Sequence, residues 1–188
     1  MRLFVALEVQ QEARQELDRR VSGLRGRLPR ARWVDLGNVH LTLLFLGETG
    51  EAAVAGLVEA LRPAFARCPA LDLQLRDGGT FPPRGPARVA WVGVEAPAAL
   101  QALHGEVTAA AVEALGIEPE ARPFSAHLTL ARCSEPWKRD ATETWKAALA
   151  GPIGPAFRVD RGTLFESVLG RGGARYSAVA ELEMAGSA

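Results

Sequence analysis

Hydrophobic positions change period several times along the chain, and each change marks an element. Residues 2–9 are rich in Leu, Phe and Val and predict a strand. From Gln11 the period lengthens: Leu17, Val21, Leu24 and Leu28 share one helical face, and the helix ends near Pro29. Residues 39–46 form a second apolar strand, closed by Gly47. Val54, Leu57, Leu61 and Phe65 predict a second helix, and Leu71, Leu73 and Leu75 alternate as a strand. Residues 77–86, with Gly78 and Gly79 before Phe81 and Pro82, Pro83, Gly85 and Pro86 after it, read as a loop. Val89 to Val94 returns to strand, and Leu100, Leu103, Val107 and Ala111 give a third helix. Residues 127–132 read as a strand. Ser134 is placed as the N-cap of a fourth helix, with Pro136 in its first turn and Trp137, Ala141 and Trp145 on one face. Strands follow around Phe157–Val159, Leu164–Leu169 and Tyr176–Met184, with Gly170-Arg171-Gly172-Gly173 as the hairpin turn between the last two. So many hairpin-like neighbours exclude a doubly wound parallel sheet. The chain reads as α+β with mainly antiparallel sheets.

The pattern repeats. His-Leu-Thr-Leu occurs at His40–Leu43 and again 87 residues later at His127–Leu130, in a chain with three histidines. At the same offset Phe4, Val5 and Glu8 fall opposite Trp91, Val92 and Glu95, and Ala87-Arg88 falls opposite Ala174-Arg175. The helices match one residue tighter, Leu17 with Leu103 and Val21 with Val107. Each copy is strand, helix, His-containing strand, helix, strand. We therefore expect a single domain over 1–188, with repeats at about 1–87 and 88–174. The two similar lobes are expected about a pseudo-twofold axis, with helices outside and the two His strands facing each other across a cleft.

Alternation along a strand puts His40 and Thr42 on one face and Leu41 and Leu43 on the other; His127 and Thr129 behave likewise. An imidazole and a hydroxyl about 6.5–7 Å apart along a strand can converge on one small oxyanion. A phosphodiester fits two such pairs. Its hydrolysis needs a base for water and an acid for the leaving oxygen, and histidine serves either role near neutral pH. The threonine hydroxyls can donate to the non-bridging oxygens. No carboxylate cluster, HExxH or Cys/His ligand spacing accompanies the motifs, so this design requires no metal and no cofactor.

Composition narrows the partner. The 188 residues carry 22 basic and 22 acidic side chains, a net charge of zero, which argues against a polycationic nucleic-acid binder or a basic membrane-surface helix. The basic residues are 20 Arg and 2 Lys, which leaves many bidentate anion binders available. Cys68 and Cys133 are too few for a disulfide scaffold. With no signal-peptide pattern and no long apolar run, a cytoplasmic protein is expected. Arg132 and Phe45 each lie five residues past a motif histidine, which strict alternation puts on the opposite face. Arg132 reads equally as a phosphate contact or a surface ion pair, and Phe45 more as core than as a base-stacking ring. Phe81 and Arg84 can rim the cleft from their loop, as aromatic and arginine side chains grip single-stranded RNA. The Gly170–Gly173 turn reads as a plain hairpin rather than an anion nest, and His104 as a packing residue.

At these residues the sequence resembles the 2H phosphoesterase superfamily, and within it the RNA 2′,3′-cyclic phosphodiesterase branch, also called the 2′-5′ RNA ligase family. The resemblance rests on Arg2–Ala6, Arg32-Trp33-Val34, His40–Gly47, Gly79–Pro82, Arg122-Pro123-Phe124, His127–Arg132 and Ser167-Val168-Leu169 before Arg175-Tyr176. Ala126 and Phe165-Glu166 depart from the family pattern. The resemblance implies opening of a terminal RNA 2′,3′-cyclic phosphate to a 2′-phosphomonoester, with His40 the proton donor and His127 the proton acceptor. Thr42 and Thr129 as phosphate binders, and Arg132, Phe45, Phe81 and Arg84 as candidate substrate contacts, are read from their positions in the chain and not from the resemblance. The repeats themselves leave the acid and base roles open. Alternatives are a small cyclic nucleotide or ADP-ribose cyclic phosphate as substrate, 2′-5′ ligation by the same site, and a non-catalytic RNA-end binding module. A monomer without membrane association is expected.

Overall fold

Five consecutive residues of the first strand, Leu3 to Leu7, are buried, so β1 (Arg2–Glu8) does not alternate between core and solvent. A strand reads this way when both of its faces are covered, and β1 lies inside a sheet of four. The computed structural model describes residues 1–118, 121–170 and 173–186. In order, the elements after β1 are α1 (Gln11–Ser22), β2 (Ala31–Trp33), β3 (His40–Glu48), α2 (Val54–Arg67), β4 (Leu71–Phe81), β5 (Ala87–Glu95) and α3 (Ala98–Leu115). The chain continues through β6 (His127–Trp137), α4 (Arg139–Ala148), β7 (Pro152–Val159), β8 (Arg161–Gly170) and β9 (Gly173–Glu183).

The strands form two antiparallel sheets, ordered β3-β1-β8-β9 and β2-β6-β5-β4-β7. The α+β class and the two similar sheets match the expectation from sequence. Each sheet pairs a His strand with the strand that opens the same repeat, β3 with β1 and β6 with β5. The last strand of each repeat crosses over. β4 follows α2 in the chain but pairs with β5, and β8 pairs with β1. The sheets are therefore not the sequence halves 1–87 and 88–174. Each contains strands from the other half, which ties the two together. β2 was not anticipated, since three residues carry too little pattern to mark a strand.

Two further expectations change. Ser134 caps no helix: β6 runs on to Trp137, and α4 starts at Arg139 with Lys138 at its N-cap. The ladder wins over cap propensity because Trp137 pairs with Ala87, is fully buried, and donates Nε1–H to Pro29 O at 3.2 Å. Residues 77–81 are strand, not loop. Their glycines serve close packing: a Cβ on Gly79 would sit 2.1 Å from the indole of Trp91, and one on Gly78 2.9 Å from Leu149. Asp77 takes a positive φ of 56° at the register shift beside Gly78, and its carboxylate accepts from Gly151 N at 2.7 Å. The β8–β9 hairpin pairs as far as Gly170 with Gly173, while Arg171 and Gly172 lie outside the described residues.

Trp145, on α4, is fully buried and fixes the second sheet from behind. Its Nε1–H reaches Gly79 O at 3.0 Å and Trp91 O at 3.2 Å. Among the described residues no helix is long and apolar enough to cross a membrane.

Candidate active site

β3, the edge of the four-stranded sheet, packs against β6 of the other sheet. The two His strands thus meet across the gap between the sheets. Each motif shows the same burial: histidine and threonine half-buried, the two motif leucines buried.

The two imidazoles are held the same way. His40 Nδ1 lies 2.8 Å from Asn38 O, and His127 Nδ1 lies 2.7 Å from Ser125 O. A carbonyl only accepts, so Nδ1 carries the proton in both rings. That leaves Nε2 as the reactive nitrogen: a base when the ring is neutral, an acid when it is cationic.

Both His strands carry an irregularity at the same place. β1–β3 pairing shifts between Val5 and Ala6, so Thr42 pairs with Ala6 and Leu44 with Val5, skipping Leu43. β5–β6 pairing shifts between Ala90 and Trp91, so Thr129 pairs with Trp91 and Ala131 with Ala90, skipping Leu130. A bulge of this kind adds one residue and reverses the alternation beyond it. The burial strings agree: Leu43 and Leu44 are both buried and then Phe45 is exposed, while Leu130 and Ala131 are both buried and then Arg132 is exposed. Phe45 and Arg132 therefore lie on the histidine face, not opposite it. Phe45 is 64% exposed and is not core. Arg132 pairs with Val89, two residues from Trp91 and so on the same face.

The surroundings of the two rings differ. Phe4 stacks on His40 with centroids 4.7 Å apart and planes at 29°, and Tyr176 meets it edge-on at 5.1 Å; Phe165 is 6.3 Å away. Around His127 stand Phe81, edge-on at 5.1 Å, and Trp91 at 5.9 Å. Burial pushes the His40 imidazole below its ordinary value, and the Asn38 carbonyl offsets part of that. Of these aromatic neighbours only Phe81 was read from sequence as a rim residue of the site; Phe4 and Trp91 entered through the repeat, and Phe165 and Tyr176 through the family resemblance. The others come from strands far apart in the chain. The offset of 87 matches Phe4 with Trp91, but the ladders do not: Ala6 lies opposite Thr42 where Trp91 lies opposite Thr129. A slip of two residues keeps every side chain on its face, so the hydrophobic pattern cannot reveal it.

The other candidates are placed as follows. Arg84 is exposed in the turn after Phe81. His104 stacks on Phe124 with centroids 4.2 Å apart, a packing role away from the motifs. Cys133 pairs with Ala31 at the outer ladder and Cys68 is buried; both are free thiols. Among the described residues no three of His, Cys, Asp and Glu gather as a metal-binding group.

Comparison with known proteins agrees with this arrangement. The profile of the 2′-5′ RNA ligase superfamily matches residues 11–171. A Geobacillus stearothermophilus protein named RNA 2′,3′-cyclic phosphodiesterase is 36% identical over 129 residues, 69% of this chain; the match spans 41% of that protein's own length. A crystal structure from Thermus thermophilus superposes with a TM-score of 0.79 at 28% identity, covering 100% of both chains. Escherichia coli LigT complexed with 3′-AMP does so with a TM-score of 0.75 at 28% identity, covering 97% of each chain.

Proposed function

This chain belongs to the 2′-5′ RNA ligase superfamily, and on that premise we propose that it hydrolyses RNA 2′,3′-cyclic phosphate ends to 2′-phosphomonoesters. The observation that carries this reading is the matched pair of imidazoles, each with Nδ1–H held by the carbonyl two residues earlier, on strands that pack against each other. That pairing supplies two proton-transfer groups of fixed tautomer around one phosphate.

In the proposed reaction water attacks phosphorus while His127 Nε2 takes its proton. The P–O3′ bond breaks, and protonated His40 gives its Nε2 proton to O3′. One water is consumed, the products are a 2′-phosphate and a 3′-hydroxyl, and solvent exchange resets both rings. Thr42 and Thr129 donate to the non-bridging oxygens as charge develops. Burial of His40 makes its cation a stronger acid, which suits a donor once the phosphate anion has brought the proton onto the ring. Taken alone, that burial favours the neutral ring. With a 5′-hydroxyl in place of water the same step, with the same roles for the two rings, breaks P–O3′ and joins a 2′-5′ bond; run backwards, the rings exchange roles and that bond is cleaved to the cyclic phosphate and a 5′-hydroxyl.

Phe45 and Phe81 serve in this reading as ring surfaces for bases, and Arg132 and Arg84 as phosphate contacts at the rim. The whole chain acts as one domain made of two repeats and works as a monomer. Its free thiols, Cys68 and Cys133, support a reducing cytoplasmic setting.

The test is end-group analysis of a short RNA with a 2′,3′-cyclic phosphate, incubated with purified protein in EDTA. A 2′-phosphate product supports the proposal. A 3′-phosphate reassigns the leaving oxygen, joined RNA favours ligation, and bound but unchanged RNA indicates a binding module.

A further inference from the structure

Arg32 of β2 stands directly opposite Arg132 of β6 in the antiparallel ladder. Residues so paired have Cα atoms about 4.5–5.5 Å apart and side chains on one face. Arg132 in turn pairs with Val89 on the histidine face, so Arg32 shares that face. Trp33, the next residue, goes the other way and contacts Trp137 and Trp145. Both guanidinium groups are exposed, and neither forms an ion pair among the described residues. Arginines elsewhere are commonly matched: Arg19 with Glu16, Arg67 with Glu106, Arg139 with Glu143. Arg30, also exposed and two residues before Arg32, extends the unpaired row, its carbonyl accepting from Ser134 N at 3.0 Å.

Like charges placed opposite each other in a ladder repel unless an anion lies between them. Three steps of β6 separate Arg132 from Thr129, roughly 10 Å of strand, so the row begins beside the reacting phosphate and leads away from it. We propose that Arg32, with Arg132, holds the phosphodiester on the 5′ side of the terminal nucleotide, and that the protein thereby selects oligonucleotide ends over cyclic mononucleotides. This rests on the hydrolase reading and adds to it a substrate class. A 2′,3′-cyclic mononucleotide has no second phosphodiester and gains nothing from Arg32. Guanidinium grips a phosphate with two parallel hydrogen bonds, which suits a site that must fix the strand's direction.

The experiment compares kcat/KM for a cyclic-phosphate trinucleotide and a cyclic mononucleotide in wild type, Arg32→Ala and Arg32→Lys. Arg32→Ala is expected to lower the trinucleotide value about tenfold more than the mononucleotide value, a charge-assisted contact being lost. Arg32→Lys keeps the charge but not the two parallel hydrogen bonds and is expected to recover only part of that difference. Against salt, the logarithmic slope for the trinucleotide flattens by about 0.7 in Arg32→Ala, one phosphate contact on a single strand. An equal fall on both substrates, or no fall on either, overturns the proposal. Wild-type protein that opens neither substrate overturns the hydrolase reading and this inference together. Wild type that opens both, with a ratio unmoved by Arg32→Ala, overturns the arginine clamp alone.

Discussion

Phe4 stacks on His40 with ring centroids 4.7 Å apart, which makes the first strand of the chain one wall of the candidate catalytic group's pocket. With Tyr176 at its edge, His40 is half-buried, and that burial holds its pKa below the ordinary value near 6.5.

That direction gives a pH dependence of stability. The unfolded chain takes up a proton on His40 before the folded one does, so unfolding is favoured as pH falls. The stability contributed by keeping this ring neutral is complete above the unfolded value and is lost as pH falls through the folded one. Urea midpoints from pH 8 to pH 5 should therefore fall on the acid side, and His40→Gln should flatten the curve there. An identical curve in the variant would mean His40 is not the group responsible.

The acid and base roles separate by the leaving group. His40→Ala and His127→Ala should each lose about 10²–10⁴ in rate on an ordinary cyclic phosphate. On an analogue with sulfur in place of the 3′ oxygen, departure needs no proton. His40→Ala should then recover much of its loss while His127→Ala should not. Recovery in His127→Ala instead would reverse the assignment.

Gly79→Ala should damage stability and activity together. The added methyl would meet the Trp91 indole at 2.1 Å, and Trp91 lies against both Phe81 and His127. Overpacking of this kind costs about 1–3 kcal/mol. A double-mutant cycle with Trp91→Leu checks the cause: removing the indole should restore most of the lost unfolding free energy.

Phe45→Ala should do the reverse. At 64% exposure the ring contributes little to the core, so urea stability should change by less than about 0.5 kcal/mol. Loss of a base-stacking surface is worth about 1–3 kcal/mol, so KM for an RNA end should rise about tenfold or more. A large stability loss with unchanged KM would return Phe45 to the core.

Much of this was readable from the chain because the signal is local and repeated. The two His-Leu-Thr-Leu segments specify strands by alternation, put histidine and threonine on a shared face, and by their fixed spacing announce a duplicated unit. The helices follow from the same kind of period. The failures were also local rules, overridden by partners far away in sequence. Ser134 looks like a helix cap until Ala87 and Pro29 claim Trp137 for the sheet. Gly78 and Gly79 look like a loop until the side chains of Trp91 and Leu149 show why nothing larger fits.

The sequence by itself determined the α+β class, the two motifs, and the pairing of imidazole with hydroxyl on each strand, since all three depend on neighbours within a few residues. Tertiary structure alone decided three other things. It exchanged β4 and β8 between the sheets, so that neither half of the chain forms a sheet on its own. It placed a bulge after each threonine, where the partner strand skips one residue, and so turned Phe45 and Arg132 toward the histidines. It also broke the symmetry of two identical motifs by enclosing His40 with rings from β1, β8 and β9. A ladder partner and a desolvating wall come from distant segments, and no period along the chain encodes them.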